Sequence, residues 1–268
     1  MRKESKLISP LLTVSMAVLI LLKMYWGKCL HNLVGQPIPV QGLDNTLWIF
    51  HFTGISMLFT AHKYIAYSVD MLVATSFLIL IFYQKRVFLW WVFILFIFYH
   101  FSYEIYSGHF HKLDVIVVLF LFTFLWANNQ RQLLWEGIRY YLIMVMLSSA
   151  AYKLFNGALL FPSHFANVLM AQHADIGMLH SHSYTTRIAE ALIAYPYLGF
   201  ALFAVLFALQ AFFTIGFFTK RMDKVLFVLV LVFIAMDYFL MRIWALDLLL
   251  AAYTLILPSW YSSVIIRK

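Results

Sequence analysis

The stretch KYIAYSVDMLVATSFLILIFYQKRVFLWWVFILFIFYHFSYEIYS, residues 63–107, decides the fold. It holds two apolar runs, 65–83 and 87–104, separated by a short turn that carries Lys85 and Arg86. Each run is close to the 20 or so residues a helix needs to cross a bilayer core. Basic residues in short loops concentrate on the cytoplasmic side. The stretch therefore reads as two spanning helices joined on the inside.

Working outward, further apolar runs at 8–25, 113–127, 137–156, 197–217, 224–241 and 244–260 predict an all-α, polytopic transmembrane bundle of about eight spans. Long apolar runs, unlike the short alternating strands of a barrel, call for helices. The composition agrees: 64% of the 268 residues are hydrophobic and 11% are charged, against roughly 25% charged in soluble domains. The first run lacks an Ala-x-Ala cleavage site and is expected to be a retained helix. No repeat or linker marks a second domain, so residues 1–268 are expected to form one.

Orientation follows from the basic residues. With the N-terminus inside, Arg2, Lys3, Lys6, Lys85, Arg86, Arg131, Arg139, Lys220, Arg221, Lys224, Arg267 and Lys268 lie inside, and Lys23, Lys28, Lys63, Lys112, Lys153, Arg187 and Arg242 lie outside. Twelve against seven predicts N-in and C-in in a cytoplasmic membrane. The net charge of +8 is then a topology signal. The expected partners are the lipid bilayer and a small peptide or another membrane protein, with no nucleic acid. Residues 45–62 are apolar enough to span, but crossing would put Lys85-Arg86 and Lys220-Arg221 outside. They are expected to form a helix at the outer interface. Residues 157–195 are expected to form an outer segment with short interfacial helices.

In this scheme all ten histidines fall in outer loops or the outer halves of spans, which points chemistry to that face. Ionisable groups within spans are costly and usually face the bundle interior. Asp70, His100, Glu104, Lys153 and Asp237 are such groups, and they are expected to share one outer cavity. His100 and Glu104 stand four apart on one helix face, where the carboxylate can orient the imidazole. Lys153 follows a small-residue run, SSAAYK, beside Asn156 and Gly157. An amine among apolar helices loses hydration, which favours its neutral form and lets it act as base or nucleophile. The bland reading is a lysine reaching to the headgroups, and buried ion pairs also occur without function. Ser148 and Ser149 read as small residues that let helices approach. Arg242, bracketed by Asp237 and Asp247, reads as a clamp on the last hairpin.

Metal binding is not expected. Cys29 is the only cysteine, which excludes a disulfide, a Cys-x-x-Cys redox centre and a thiolate zinc site. The pairs His109-x-His111 and His180-x-His182, with His164 or His173, could in principle ligate a metal, but loop histidines are usually exposed without a ligand.

Three stretches carry a family resemblance. SGHFHKLDVIVVLFLFTFL (107–125), AAYKLFNGALL (150–160) and LQAFFTIGFFTKRMDKVLFVLVLVFIAMDYFL (209–240) resemble the HTTM membrane-domain family, which includes the vitamin K-dependent γ-glutamyl carboxylase. The resemblance implies that Lys153 matches a catalytic lysine and that His109 and His111 lie in a substrate-binding motif. It also implies an outward cavity for a peptide or a quinone-like lipid. The sequence departs from the family pattern at Gln210, where many members have Glu, and at Asp237, where they typically have His. The Trp between lysine and glycine is absent, and the carboxylase's lumenal domain has no counterpart in these residues. The fold is expected to carry over, and carboxylation itself is not.

The combined expectation is a membrane-embedded enzyme, carboxylase-like or peptide-modifying, or a maturation factor. Lys153 would be the base, His100, Glu104 and Asp237 would tune charge, and His109, His111, Asp70 and Asn156 would bind substrate. The rival expectation is a non-catalytic membrane subunit or small transporter whose buried charges pair for structure alone.

Overall fold

The computed structural model describes residues 5–34, 52–107, 115–126, 128–170, 184–241 and 245–265, and every regular element among them is helical. The chain divides into two compact units between Leu134 and Trp135.

The first unit contains α1 (Ser5–Tyr25), α2 (Leu30–Leu33), α3 (Ile55–Ala61), α4 (Lys63–Phe82), α5 (Arg86–Ser107) and α6 (Val115–Leu125). α1 packs on α4, α4 on α5, and α5 on α6, while the single turn α2 wedges against α4 and α5. Helical periodicity sets the faces. On α1, Leu12, Met16 and Ile20 are buried, while Leu11, Val14, Val18 and Leu21 are exposed. On α4, Ala66, Asp70, Val73 and Phe77 form the buried stripe, and Leu72, Ile79 and Phe82 face outward. A surface of exposed Leu, Val and Phe is stable in lipid, where the hydrocarbon is as apolar as the side chain.

The second unit contains most of α7 (Asn128–Phe155), α8 (164–170), α9 (Tyr184–Ala194), α10 (Pro196–Phe212), α11 (Ile215–Phe218), α12 (Asp223–Met236), a π-helical turn (Asp237–Met241) and α13 (Asp247–Ile265). α12 packs on α13 and α10, and α9 packs on α10 and on the π turn. Pro196 opens α10 at a position whose N–H would lack a helical partner in any case. α7 ends at Gly157, whose φ of 64° is the left-handed conformation glycine adopts without strain. The Ala158 N–H donates to the Lys153 carbonyl at 3.0 Å, and the Gly157 N–H donates to that of Leu154 at 3.0 Å. This is a Schellman ending, and it stops the helix one turn beyond Lys153. α1 ends the same way, with Gly27 at φ 65° and Lys28 donating to the Lys23 carbonyl at 2.8 Å.

Four helices are long and apolar enough to cross a membrane: Leu11–Leu33, Lys63–Phe82, Arg86–Tyr106 and Pro196–Phe218. The other four expected spans are also helical but fall short of that measure. α6 covers 11 described residues. α7 is long, but its first turns carry the polar run NNQRQ followed by Glu136 and Arg139. α12 gives way to the π turn at Asp237, and α13 is apolar over Asp247–Ile256. Several apolar helices are compatible with an integral membrane protein, and a protein so embedded would contact the bilayer. Of the expected interfacial stretch 45–62, the described part includes α3, and of 157–195 it includes α8 and α9.

Candidate functional site

In the second unit, periodicity puts one cation at each end of the same α7 face. Arg139, Leu142, Met146, Ser149 and Lys153 recur every three or four residues, the spacing of a single helical stripe. α10 answers with its own stripe of Gly199, Phe203, Leu206 and Gln210, all buried. These two stripes build a site at the C-terminal end of α7. The Lys153 Nζ donates to Gln210 Oε1 at 2.6 Å, and Gln210 Nε2 donates to Ser149 Oγ at 3.1 Å. The ammonium lies 5.5 Å from the centre of the Phe203 ring, within cation–π range. The His164 ring packs against the same Phe203 ring, centroid to centroid 6.0 Å. Asp237, at the start of the π turn, is close enough to act electrostatically on Lys153. π turns within helices occur disproportionately at functional sites.

The N-terminal end of the face is different. The Arg139 side chain is 0% exposed. Its Nε donates to Asp223 Oδ2 at 2.9 Å and its Nη2 to Asp223 Oδ1 at 2.6 Å. Nη2 also reaches the Gly216 carbonyl at 2.8 Å. Nearby, Lys220 pairs with Glu136. A forked, buried Arg–carboxylate pair fixes geometry, and it ties α7 to α11 and to the first residue of α12. The topology reading counted Arg139 as an inner-loop cation, whereas its side chain is completely enclosed by protein.

In the first unit, Asp70 is the hub. Its side chain is 0% exposed. Oδ1 accepts the Leu30 N–H at 3.0 Å, while Oδ2 accepts the His31 N–H at 2.9 Å and His31 Nδ1 at 2.7 Å. The Tyr99 hydroxyl also hydrogen-bonds to Asp70. A carboxylate from α4 thus satisfies the open N–H groups at the start of α2. Cys29 stands immediately before that helix, and its Sγ, a ring nitrogen of His31 and an oxygen of Asp70 lie within 4.8 Å of one another. His100 and Glu104 approach to 3.6 Å on one face of α5, with side chains 8% and 15% exposed.

Of the expected site residues, the structure pairs His100 with Glu104 and brings Lys153 into the field of Asp237. Asp70 is engaged by His31, Leu30 and Tyr99. Asn156 is exposed and forms part of the α7 ending. His109, His111, His173, His180, His182 and Arg242 lie outside the described residues. The reading of residues in sequence missed Gln210, Ser149, His164 and Phe203 as neighbours of Lys153, and Cys29, His31 and Tyr99 as neighbours of Asp70. Gln210 did carry a signal, as the one amide in the apolar helix PYLGFALFAVLFALQAF. Ser149, expected only as a spacer, accepts a hydrogen bond. Compared with known proteins, the chain matches no family model, no curated protein and no solved structure at a significant level.

Proposed function

We propose that the protein is a multi-pass enzyme or maturation factor of the HTTM type in a cytoplasmic membrane, with about eight spans and both termini inside. Its outward face acts on a peptide or a lipid-soluble, quinone-like molecule, and Lys153 is the base. The observation that supports this is the company Lys153 keeps. Its amine is held by the neutral carboxamide of Gln210, over an aromatic ring, with the carboxylate of Asp237 within electrostatic range. A carboxamide orients an amine without neutralising it. An oriented nitrogen in surroundings that exclude water is what general base catalysis requires. His109 and His111 bind substrate in this reading, and Asp237 adjusts the charge around the base.

The rival reading, a non-catalytic membrane subunit or small transporter, is favoured by the Arg139–Asp223 and His31–Asp70 pairs, which are satisfied internally. Substitution of Lys153 separates the two. Lys153→Arg keeps the charge, but a guanidinium stays protonated at any working pH. Lys153→Met keeps bulk and removes the charge. A base predicts that both variants insert and fold, and that both fail to complement a strain lacking the gene. A structural lysine predicts that Arg complements and that Met lowers the yield of folded protein. A stable, complementing Lys153→Arg protein would overturn the catalytic reading.

A further inference from the structure

The first unit holds three metal-ligating side chains that the Lys153 chemistry does not use. Cys29, His31 and Asp70 come from the start of α2 and the middle of α4, and they place a sulfur, a nitrogen and an oxygen within 4.8 Å of one another. We infer that these three side chains form a binding site for a single divalent cation of borderline softness, with zinc the best match.

The donor set is the first reason. Zinc binds thiolate, imidazole and carboxylate at about 2.3, 2.0–2.1 and 2.0–2.2 Å, and tetrahedral angles then put the ligand atoms roughly 3.3–3.6 Å apart. The three ligand atoms lie within 4.8 Å of one another, so none has to close by more than about 1.5 Å to reach that spacing. The His31 Nδ1 to Asp70 Oδ2 contact of 2.7 Å must open by about half an ångström as the ion replaces the proton between them. Charge is the second reason. One thiolate and one carboxylate cancel the two charges of the ion, and a neutral assembly is the form a desolvated site tolerates. Cys29 is 1% exposed and the Asp70 side chain 0%. His31, with 23% of its side chain exposed, leaves a path for entry.

The third reason is support around the ligands. Asp70 Oδ1 is held by the Leu30 N–H, so Oδ2 can face the ion while the carboxylate stays oriented, as outer-shell hydrogen bonds do in metal sites. The ring of His31 is set edge-on against Tyr67 at 5.2 Å. Capping alone explains this arrangement poorly. A Ser, Asp or Asn at position 29 would satisfy the α2 start locally. The residue there is instead a cysteine whose side chain makes no capping bond, and the carboxylate comes from 40 residues away. Counting cysteines excluded a thiolate zinc site. A mixed site with one thiolate escapes that count: Cys29 and His31 are two residues apart, but the carboxylate that completes the set comes from Asp70, 39 residues beyond His31. Three protein ligands leave a fourth position for water or another small ligand.

The test uses the full-length protein, metal-stripped in detergent and titrated with Co²⁺ and then Zn²⁺ alone. The expected result is uptake of one equivalent, with a thiolate-to-cobalt charge-transfer band that Zn²⁺ abolishes. Cys29→Ser should remove the band and weaken Zn²⁺ binding by at least about 100-fold, since even outer-shell changes cost about 10–100-fold. His31→Gln should weaken binding comparably. Zn²⁺ should raise the thermal midpoint of the wild type and not that of Cys29→Ser, a comparison that shows the variant is folded. A folded wild type that takes up no metal overturns the site. So does uptake that Cys29→Ser leaves unchanged, because the ion then sits elsewhere, as on the outer histidines.

Discussion

Arg139 and Lys153 stand on the same face of the same helix, about 21 Å apart at 1.5 Å per residue, yet their surroundings differ in kind. Arg139 is enclosed, meets a carboxylate through two nitrogens and is tied to a main-chain carbonyl. Lys153 meets an amide, a ring and a carboxylate that acts at longer range. The first arrangement matches the charge at contact through Nε and Nη2, although Nη1 is buried without a hydrogen bond. The second orients an amine without neutralising it. Burial of a cation is therefore not by itself a sign of function, and what decides is whether its counter-charge is matched at contact.

Substitutions test that contrast, and the largest effect belongs to the Arg139 end. Arg139→Met should strand Asp223 in a buried position and cost about 3–5 kcal/mol of stability, read as a large fall in thermal midpoint and in yield of folded protein. An Arg139→Met protein as stable as wild type would erase the contrast from the structural side. At the other end, Lys153→Met should cost less stability but reduce activity about 10²–10⁴-fold, the usual worth of a general base, as scored in the complementing strain. Next comes Gln210→Leu, which removes the amide between Lys153 and Ser149. It should destabilise by about 1–3 kcal/mol through the hydrogen-bonding groups left unmatched and should lower activity as the amine loses its orientation. Gln210→Glu sharpens the point. It places a carboxylate against Lys153, makes that end of the face resemble the Arg139 end, and should preserve stability while lowering activity. The smallest effect is expected at Gly157→Ala, where a Cβ in the left-handed region costs about 1–2 kcal/mol. The same cost should appear at Gly27→Ala, since the two helix endings share one geometry, and chemical or thermal unfolding would measure both.

Much of the fold was legible in the chain. Apolar runs about as long as a bilayer is thick marked the helical segments, because burial in lipid and main-chain hydrogen bonding together leave a continuous helix as the solution. The helix found at 63–82 and the one at 86–107 agree closely with the runs read at 65–83 and 87–104. Segment length was less legible. Residues 224–241 read as one continuous span, but the helix changes to a π turn at Asp237. Hydropathy is blind to a one-residue change in hydrogen-bond register. The pairing of His100 with Glu104 was visible because it is local, four residues on one helix.

The sequence by itself determined that this chain forms helices long and apolar enough for a membrane, and that Lys153 stands near the end of one of its helices just before a glycine. Both properties depend on neighbours within a turn or on averages over a span. Only the tertiary structure decided which charges are matched. Asp70 with His31, Arg139 with Asp223 and Lys153 with Gln210 are separated by 39, 84 and 57 residues. A hydrogen bond acts over about 3 Å, and nothing in the local composition of either partner encodes the other. Whether a buried ionisable group is a lock, a base or a ligand depends on those distant contacts.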